Sequence, residues 1–165
     1  MNKKSILLAS LLVMVLAGSL LAAAQQAQQT GTLDKYLSAA DIQAVTGFTN
    51  VKLSQSSQKG LTGNLHFVNK DGRPILVVKI LRAALYKRSE AQSLGLIKGD
   101  VKGIGEDAYF GPNIDTPYIL SFKKGERYVE LSTLYNKDDF REGKLMPFIS
   151  IEQLEALGKL IASRI

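Results

Sequence analysis

The strongest constraint on the fold is the alternation of apolar and polar side chains in residues 118–134. The alternating apolar members are Tyr118, Leu120, Phe122, Val129 and Leu131. A period of two places them on one face of paired strands, while the residues between them face water. Gly125, within the polar stretch 123–126, is best able to adopt the positive φ of a tight turn. We therefore predict a β-hairpin on which the rest of the chain is built.

A second hairpin is predicted for residues 64–81. Its turn, Asp71-Gly72, is a strong hairpin signal between two apolar runs. Pro74 stands at the start of the second arm, where its missing N–H does no harm. Shorter strands are predicted at 51–53 and 107–110 because each is a brief run of β-forming residues.

Helices are predicted at residues 38–47, 84–94 and 150–165. Ser38 and Asp41 approximate a capping box at the start of the first helix. Gly47 ends the first helix and Gly95 ends the second. The last is the clearest, because Ser150 and Gln153 form a capping box before apolar residues that recur every three or four positions.

This order of elements predicts an α+β fold. The economical arrangement is a single antiparallel sheet of about five strands (two hairpins plus a short strand) with helices packed on one face. Residues 34–165 are expected to form this single domain. The charged stretch 136–144 is predicted to be a loop.

Residues 1–24 have the pattern of a cleaved export signal. Lys3 and Lys4 precede a nearly continuous apolar run, and Ala22 and Ala24 supply the small residues of a cleavage site. The polar residues 25–33 are expected to form a disordered tether. The mature protein is therefore expected to be periplasmic or secreted, with no membrane span. The alternative is an uncleaved anchor, because the apolar run approaches the length of a membrane span.

Composition excludes several classes of site and partner. The chain has no cysteine, which removes disulfides, thiolate metal sites and Cys–His nucleophiles. Loss of the leader's two lysines leaves 19 basic and 15 acidic residues, a charge of about +4. These charges are scattered, with the densest groups at Lys87-Arg88 and Lys123-Lys124, so no nucleic-acid partner is expected. We also predict no cofactor and no bound metal.

Three motifs resemble catalytic or metal sites. Residues 103–108 resemble a dinucleotide-binding fingerprint, which requires a helix directly after it. Pro112 would interrupt such a helix, so the sequence favours a tight turn at 103–108. Asp138, Asp139 and Glu142 match no spaced calcium motif and are expected to be solvated. His66, the only histidine, is expected on the outward face of a strand, without a partner near it in sequence.

A candidate ligand groove is predicted from aromatic residues around the loop 111–117. Its residues are Glu106, Tyr109, Phe110 and Tyr118. Aromatic side chains beside glycine and proline can line such a groove. The alternative is that they are core or cross-strand pairs, as aromatic residues in strands usually are.

Four segments resemble elements of small exported bacterial α+β domains of the DUF3558 type. Residues 37–47 are similar to their opening helix, and 103–109 to their glycine, acid and aromatic element. Residues 122–129 resemble the hairpin that follows, and 154–161 the closing helix. The resemblance implies an α+β fold and carries no catalytic residues. The chain differs from these lipoproteins in having no lipobox cysteine and no cysteine pair.

The sequence thus predicts an exported, non-catalytic binding or interaction module whose partner is an unknown protein or a small ligand. The alternative is a small periplasmic hydrolase that uses His66 with an unidentified serine, Ser121 and Ser132 being the residues to test. A third interpretation is a basic module that binds anionic polymers.

Overall fold

The computed structural model describes residues 35–54, 64–111, 118–141 and 143–165. The predicted leader and tether lie outside these residues. The helices are α1 (Ala39–Thr46), α2 (Arg88–Ser93) and α3 (Ile151–Arg164), with a 3₁₀ turn at Ala83–Leu85. The strands are β1 (Lys52–Ser54), β2 (Asn64–Val68), β3 (Pro74–Arg82), β4 (Gly99–Asp100), β5 (Asp107–Gly111), β6 (Tyr118–Lys124), β7 (Arg127–Thr133), β8 (Tyr135–Arg141) and β9 (Lys144–Pro147).

The α+β fold is confirmed, with more strands than predicted. Strands β1 to β7 form one antiparallel sheet of seven strands in the order β1-β2-β3-β7-β6-β5-β4. The prediction of about five strands omitted β4 and counted only one of the two short strands predicted at 51–53 and 107–110, both of which are present, as β1 and β5. β4 has only two residues and therefore shows no alternation in the sequence. The sheet consists of two meanders joined where β3 pairs with β7.

The hairpin predicted at residues 118–134 forms the middle of the sheet. β6 pairs with β7 from Tyr118↔Thr133 to Lys124↔Arg127, so the turn is the two residues Gly125 and Glu126. Gly125 has φ +53°, as a tight turn between twisted strands requires. The second predicted hairpin is likewise present as β2 and β3.

The two longer helices begin at capping boxes, as predicted. The Ser38 hydroxyl accepts from the Asp41 N–H at 3.2 Å, and the Ser150 hydroxyl accepts from the Gln153 N–H at 3.3 Å. Arg164, in the last turn of α3, donates to both carboxylate oxygens of Asp41, at 2.7 and 2.8 Å. This ion pair joins the end of α3 to the start of α1.

The core lies between these two helices and one face of the sheet, which we call the helix-side face. Its buried strand residues are Leu65, Phe67, Leu76, Val78, Ile80, Ala108, Leu120, Phe122, Val129 and Leu131. Leu154, Leu157 and Ile161 of α3 are fully buried against this layer. Gly158 allows the approach, because a Cβ there would lie 2.6 Å from Leu120 Cδ2.

The opposite face of the sheet, which we call the outer face, is partly covered by the segment between β3 and β4. The predicted helix 84–94 is broken there into the 3₁₀ turn and the short α2. Tyr86 between them contacts the rings of Tyr109 and Tyr128, at centroid distances of 5.9 and 5.3 Å. The prediction that helices pack on one face therefore holds for α1 and α3, whereas α2 lies over the other face.

The charged stretch 136–144, predicted to be a loop, is instead part of a separate two-stranded ribbon. β8 and β9 pair with each other and with no strand of the large sheet. β8 carries charged residues on both faces, so it has no apolar alternation from which a strand can be read. The loop prediction was wrong for that reason.

Candidate binding site

An open cleft of about 580 Å³ lies where β3 begins and β7 ends. Its lining residues are Arg73, Pro74, Leu134, Tyr135, Lys137, Asp138 and Phe148. They come from three separate parts of the sequence: the start of β3, the junction of β7 with β8, and the residue after β9. The paired ribbon β8–β9 brings the second and third parts together.

The apolar walls of the cleft are held in place by the backbone. The Phe148 N–H donates to the Leu134 carbonyl at 2.8 Å, and the Leu134 N–H donates to the Ile75 carbonyl at 3.4 Å. The Phe148 ring also packs edge-on against Phe48, with centroids 6.4 Å apart. Tyr135, by contrast, is 38% exposed and forms an accessible aromatic surface.

The rim of the cleft carries both signs of charge. Arg73 forms an ion pair with Asp138, and the two side chains are 48% and 69% exposed. The Asp138 N–H donates to the Asn136 side-chain oxygen at 3.1 Å, which fixes the backbone of the acidic residue. Lys137 forms no ion pair with any other described residue. The cleft thus combines an apolar wall with one arginine–carboxylate pair and one lysine.

The residues of the predicted groove are placed on different sides of the sheet. Tyr109 faces the outer face and is 7% exposed, while Phe110 and Tyr118 lie on the helix-side face by their register with Leu120 and Thr133. Glu106 lies at the far end of β5, where it accepts from the Gly125 N–H at 2.7 Å. That hydrogen bond lowers the pKa of its carboxyl.

The loop 112–117, on which the predicted groove also depends, lies outside the described residues. The groove therefore stays a prediction. Tyr118 lies closest to the cleft in register, because its cross-strand partner Thr133 precedes Leu134 of the cleft wall.

His66 lies on the outer face, as its alternation predicted. Ser54 is its cross-strand partner on β1, and Ser132 lies in the same row two strands away, beyond Val77. The His66 Nε2 atom is buried and makes no hydrogen bond with the described residues. Burial, together with the charge of Lys79, lowers the pKa of His66 below 6.5.

Lys79, next to this histidine, forms an ion pair with Glu130 at 3.4 Å. The Glu130 carboxylate therefore does not orient the imidazole. Ser121, the other serine tested by the hydrolase hypothesis, is opposite Glu130 and 3% exposed.

A cluster of tyrosines around Arg88 holds the covering segment to the outer face. Arg88 forms ion pairs with Asp100 and, at 2.9 Å, with Asp107, and its guanidinium lies 5.4 Å from the Tyr109 ring centroid. Burial raises the pKa of Tyr86, which lies against the same ring. The Tyr86 hydroxyl is buried without a hydrogen bond to the described residues, so ring contacts and the ion pairs of Arg88 anchor the segment.

The sequence motifs that resemble nucleotide or metal sites form a chain bend and surface ion pairs. Residues 103–106 make a turn tied to β6, where the Glu106 N–H donates to the Lys123 carbonyl at 2.8 Å. Asp138 and Asp139 pair with Arg73 and Arg141. Within the described ranges, no three His, Cys, Asp or Glu side chains come together in a metal-binding geometry. None of the helices in that part of the chain is long and apolar enough to cross a membrane.

The sequence does not predict the cleft, because its lining residues are distant along the chain. In addition, the charged residues 136–144 predict a loop rather than the ribbon that forms part of the cleft. One signal was available: the apolar residues 145–149 begin two positions after Gly143, a pattern that could have indicated the second arm of a ribbon. No family model, no curated protein and no solved structure matches this chain. The resemblance to DUF3558-type domains therefore stays a prediction.

Proposed function

We propose that this protein is an exported binding module that holds a small amphipathic ligand in the cleft between Pro74, Tyr135 and Phe148. The observation that carries the proposal is the cleft itself. Its volume lies within the range of about 300–1,000 Å³ that is typical of small-molecule sites. The pattern of an export signal in residues 1–24 supports the location.

The lining indicates the chemistry of the ligand. Leu134, Tyr135 and Phe148 offer a surface for a flat apolar or aromatic body. Lys137 and Arg73 at the rim favour an anionic group at one end of that body, and Asp138 competes for Arg73. A ligand with an aromatic body and a carboxylate or sulfonate end fits this arrangement.

The dye 8-anilinonaphthalene-1-sulfonate has this chemistry and is a suitable probe. Wild-type protein is expected to enhance its fluorescence saturably, with one site per chain. Tyr135→Ala, which removes the exposed ring, is expected to weaken binding about tenfold, and Lys137→Gln by a smaller factor.

Leu94→Ala is the matched control, because Leu94 is 64% exposed but lies outside the cleft. It removes an exposed apolar side chain without touching the proposed site. Equal loss of fluorescence in Leu94→Ala and Tyr135→Ala would mean that the dye reports general hydrophobic surface, and the proposal would fail.

The location has its own test. When the full chain is expressed with its leader in a bacterial host, the protein recovered outside the cytoplasm is expected to lack residues 1–24 by intact mass. Recovery of the full-length mass in the membrane fraction would support the uncleaved anchor.

The position of Ser54 opposite His66 favours a second candidate, a small hydrolase. The test is hydrolysis of p-nitrophenyl acetate by the wild type, His66→Gln, Ser54→Ala and Ser132→Ala. A reproducible activity that His66→Gln and one serine variant both abolish would displace the binding-only proposal.

A further inference from the structure

Three basic side chains form a row at the end of the sheet opposite the cleft. Arg82 of β3 is the cross-strand partner of Arg127 of β7, which in turn is the partner of Lys124 of β6. All three lie on the helix-side face, because each is two positions from a buried residue of that face: Arg82 from Ile80, Arg127 from Val129 and Lys124 from Phe122. The row begins beside the last turn of α3, where Lys124 contacts Ala162.

The pairing of the other arginines makes this row unusual. The chain has six arginines, and all lie within the described residues. Four of them, Arg73, Arg88, Arg141 and Arg164, form ion pairs with aspartates. Arg82 and Arg127 form none with any described carboxylate, although they stand directly opposite each other.

The local backbone places these two arginines in the closer type of cross-strand pair. The Ala83 N–H donates to the Glu126 carbonyl at 2.9 Å, which makes the next pair along the ladder, Arg82 and Arg127, a non-hydrogen-bonded pair. Cα atoms in such pairs are about 4.5 Å apart, and their side chains are closer than in the alternate pairs. Like charges in this position repel each other.

Lys124 is already positioned at the end of the row. Its ammonium donates to the Ala162 carbonyl in α3 and is half-buried. Glu126 in the turn is exposed and makes no ion pair with another described residue, so it leaves the charge of the row uncompensated. Two exposed arginines and a half-buried, fixed lysine therefore lie side by side at this end of the sheet.

We propose that this row is a binding site for a phosphoryl or sulfate group, independent of the cleft. A tetrahedral dianion between Arg82 and Arg127 accepts paired N–H bonds from both guanidinium groups and removes their mutual repulsion. Lys124 contributes a third positive charge at the side of the anion. The site is open, so the group it takes is the exposed end of a larger molecule or a free ion.

The test measures inorganic phosphate and sulfate binding to the full chain by isothermal titration calorimetry and by two-dimensional NMR. Wild type is expected to bind one dianion, with the largest amide shifts at residues 82, 124 and 127. The variant Arg82Gln/Arg127Gln is expected to bind at least fivefold more weakly. Sodium chloride at matched ionic strength should not reproduce the shifts.

The control variant is Arg141→Gln, which removes an exposed arginine paired with Asp139 outside the row. It is expected to bind phosphate like the wild type. Arg82Lys/Arg127Lys keeps the charge but loses the paired N–H geometry, so an intermediate affinity is expected. Equal weakening by Arg141→Gln, or shifts that chloride reproduces, would overturn the proposal.

Vesicles distinguish the source of the group. Cosedimentation with phosphatidylglycerol vesicles, absent with phosphatidylcholine and lost in Arg82Gln/Arg127Gln, would identify a lipid headgroup. Binding of free phosphate without cosedimentation would identify a soluble phosphorylated or sulfated molecule. Wild-type protein that neither binds the dianions nor sediments would refute the site.

Discussion

At the scale of single residues, Gly158 is the position at which α3 packs closely against the sheet. A Cβ at this position would lie 2.6 Å from Leu120 Cδ2 and 3.3 Å from Ile104 Cδ1, and both neighbours are buried. Gly158→Ala is therefore expected to destabilise the protein by about 1–3 kcal/mol, although alanine is the better helix former. Chemical denaturation measures the change.

Gly99→Ala is the control for this prediction, because nothing lies within 4 Å of the added Cβ. Its free energy of unfolding is expected to stay close to the wild-type value. If Gly158→Ala were as stable as Gly99→Ala, α3 would have to lie farther from β6 than described.

Asp41 makes stability depend on pH. The Arg164 guanidinium beside it holds the pKa of the Asp41 carboxyl well below its usual range. Because the folded pKa is lower than the unfolded value of about 3.9, this stabilisation is complete above about pH 4 and is lost as pH falls toward the folded pKa. Asp41→Asn is expected to lower the free energy of unfolding by about 1–2 kcal/mol at neutral pH. In this variant the free energy of unfolding is expected to fall less steeply as the pH becomes acidic.

Urea unfolding between pH 2 and 7 measures this effect. Asp71→Asn serves as the control, since Asp71 is exposed in a turn and forms no ion pair with the described residues. If the free energy of unfolding falls as steeply at acidic pH in Asp41→Asn as in the wild type, the prediction is contradicted.

At the scale of elements, Arg88 connects α2 to the outer face of the sheet. Its ion pairs with Asp100 and Asp107 are partly exposed, and its contact with the Tyr109 ring adds a cation–π interaction. Arg88→Ala is expected to lower the local opening free energy of the covering segment by about 1–2 kcal/mol, with a small effect on global unfolding.

Hydrogen exchange at the Lys98 and Val101 amides reports this opening, because they donate to carbonyls of β5 at 2.7 and 3.0 Å. Lys87→Ala is the matched control, since Lys87, the N-cap residue of α2, forms an ion pair with Glu90 of the same helix. Unchanged exchange in Arg88→Ala would show that the tyrosines alone hold the segment.

The elements that the sequence predicted correctly are those specified by local chemistry. Gly125 marks the central turn, and the capping residues Ser38 and Ser150 mark the starts of the longer helices. β8 was not recognised because its charged residues face solvent on both sides. Arg73 and Phe148 meet in the cleft although they lie far apart along the chain, so no local pattern could show their proximity.

At the scale of the whole molecule, the cleft and the basic row lie at opposite ends of β3. Arg82 lies nine positions after Arg73, which corresponds to about 30 Å of extended strand. Sites this far apart without shared partners are expected to act additively. Tyr135→Ala combined with Arg82Gln/Arg127Gln is therefore expected to show the sum of the separate changes in the free energy of unfolding, within about 0.5 kcal/mol.

The same independence applies to binding. Saturation with phosphate is expected to leave the affinity for 8-anilinonaphthalene-1-sulfonate unchanged in calorimetric titrations. A shift greater than about twofold would mean that the sheet couples its two ends.

The two edges of the large sheet are short. β1 contributes three residues and β4 only two, while the longer strands are paired on both sides. A neighbouring polypeptide that tried to extend the sheet would find few free backbone groups on these strands, too few to template fibril growth. Recognition of a partner at these two edges is therefore expected to depend on side chains rather than on backbone pairing.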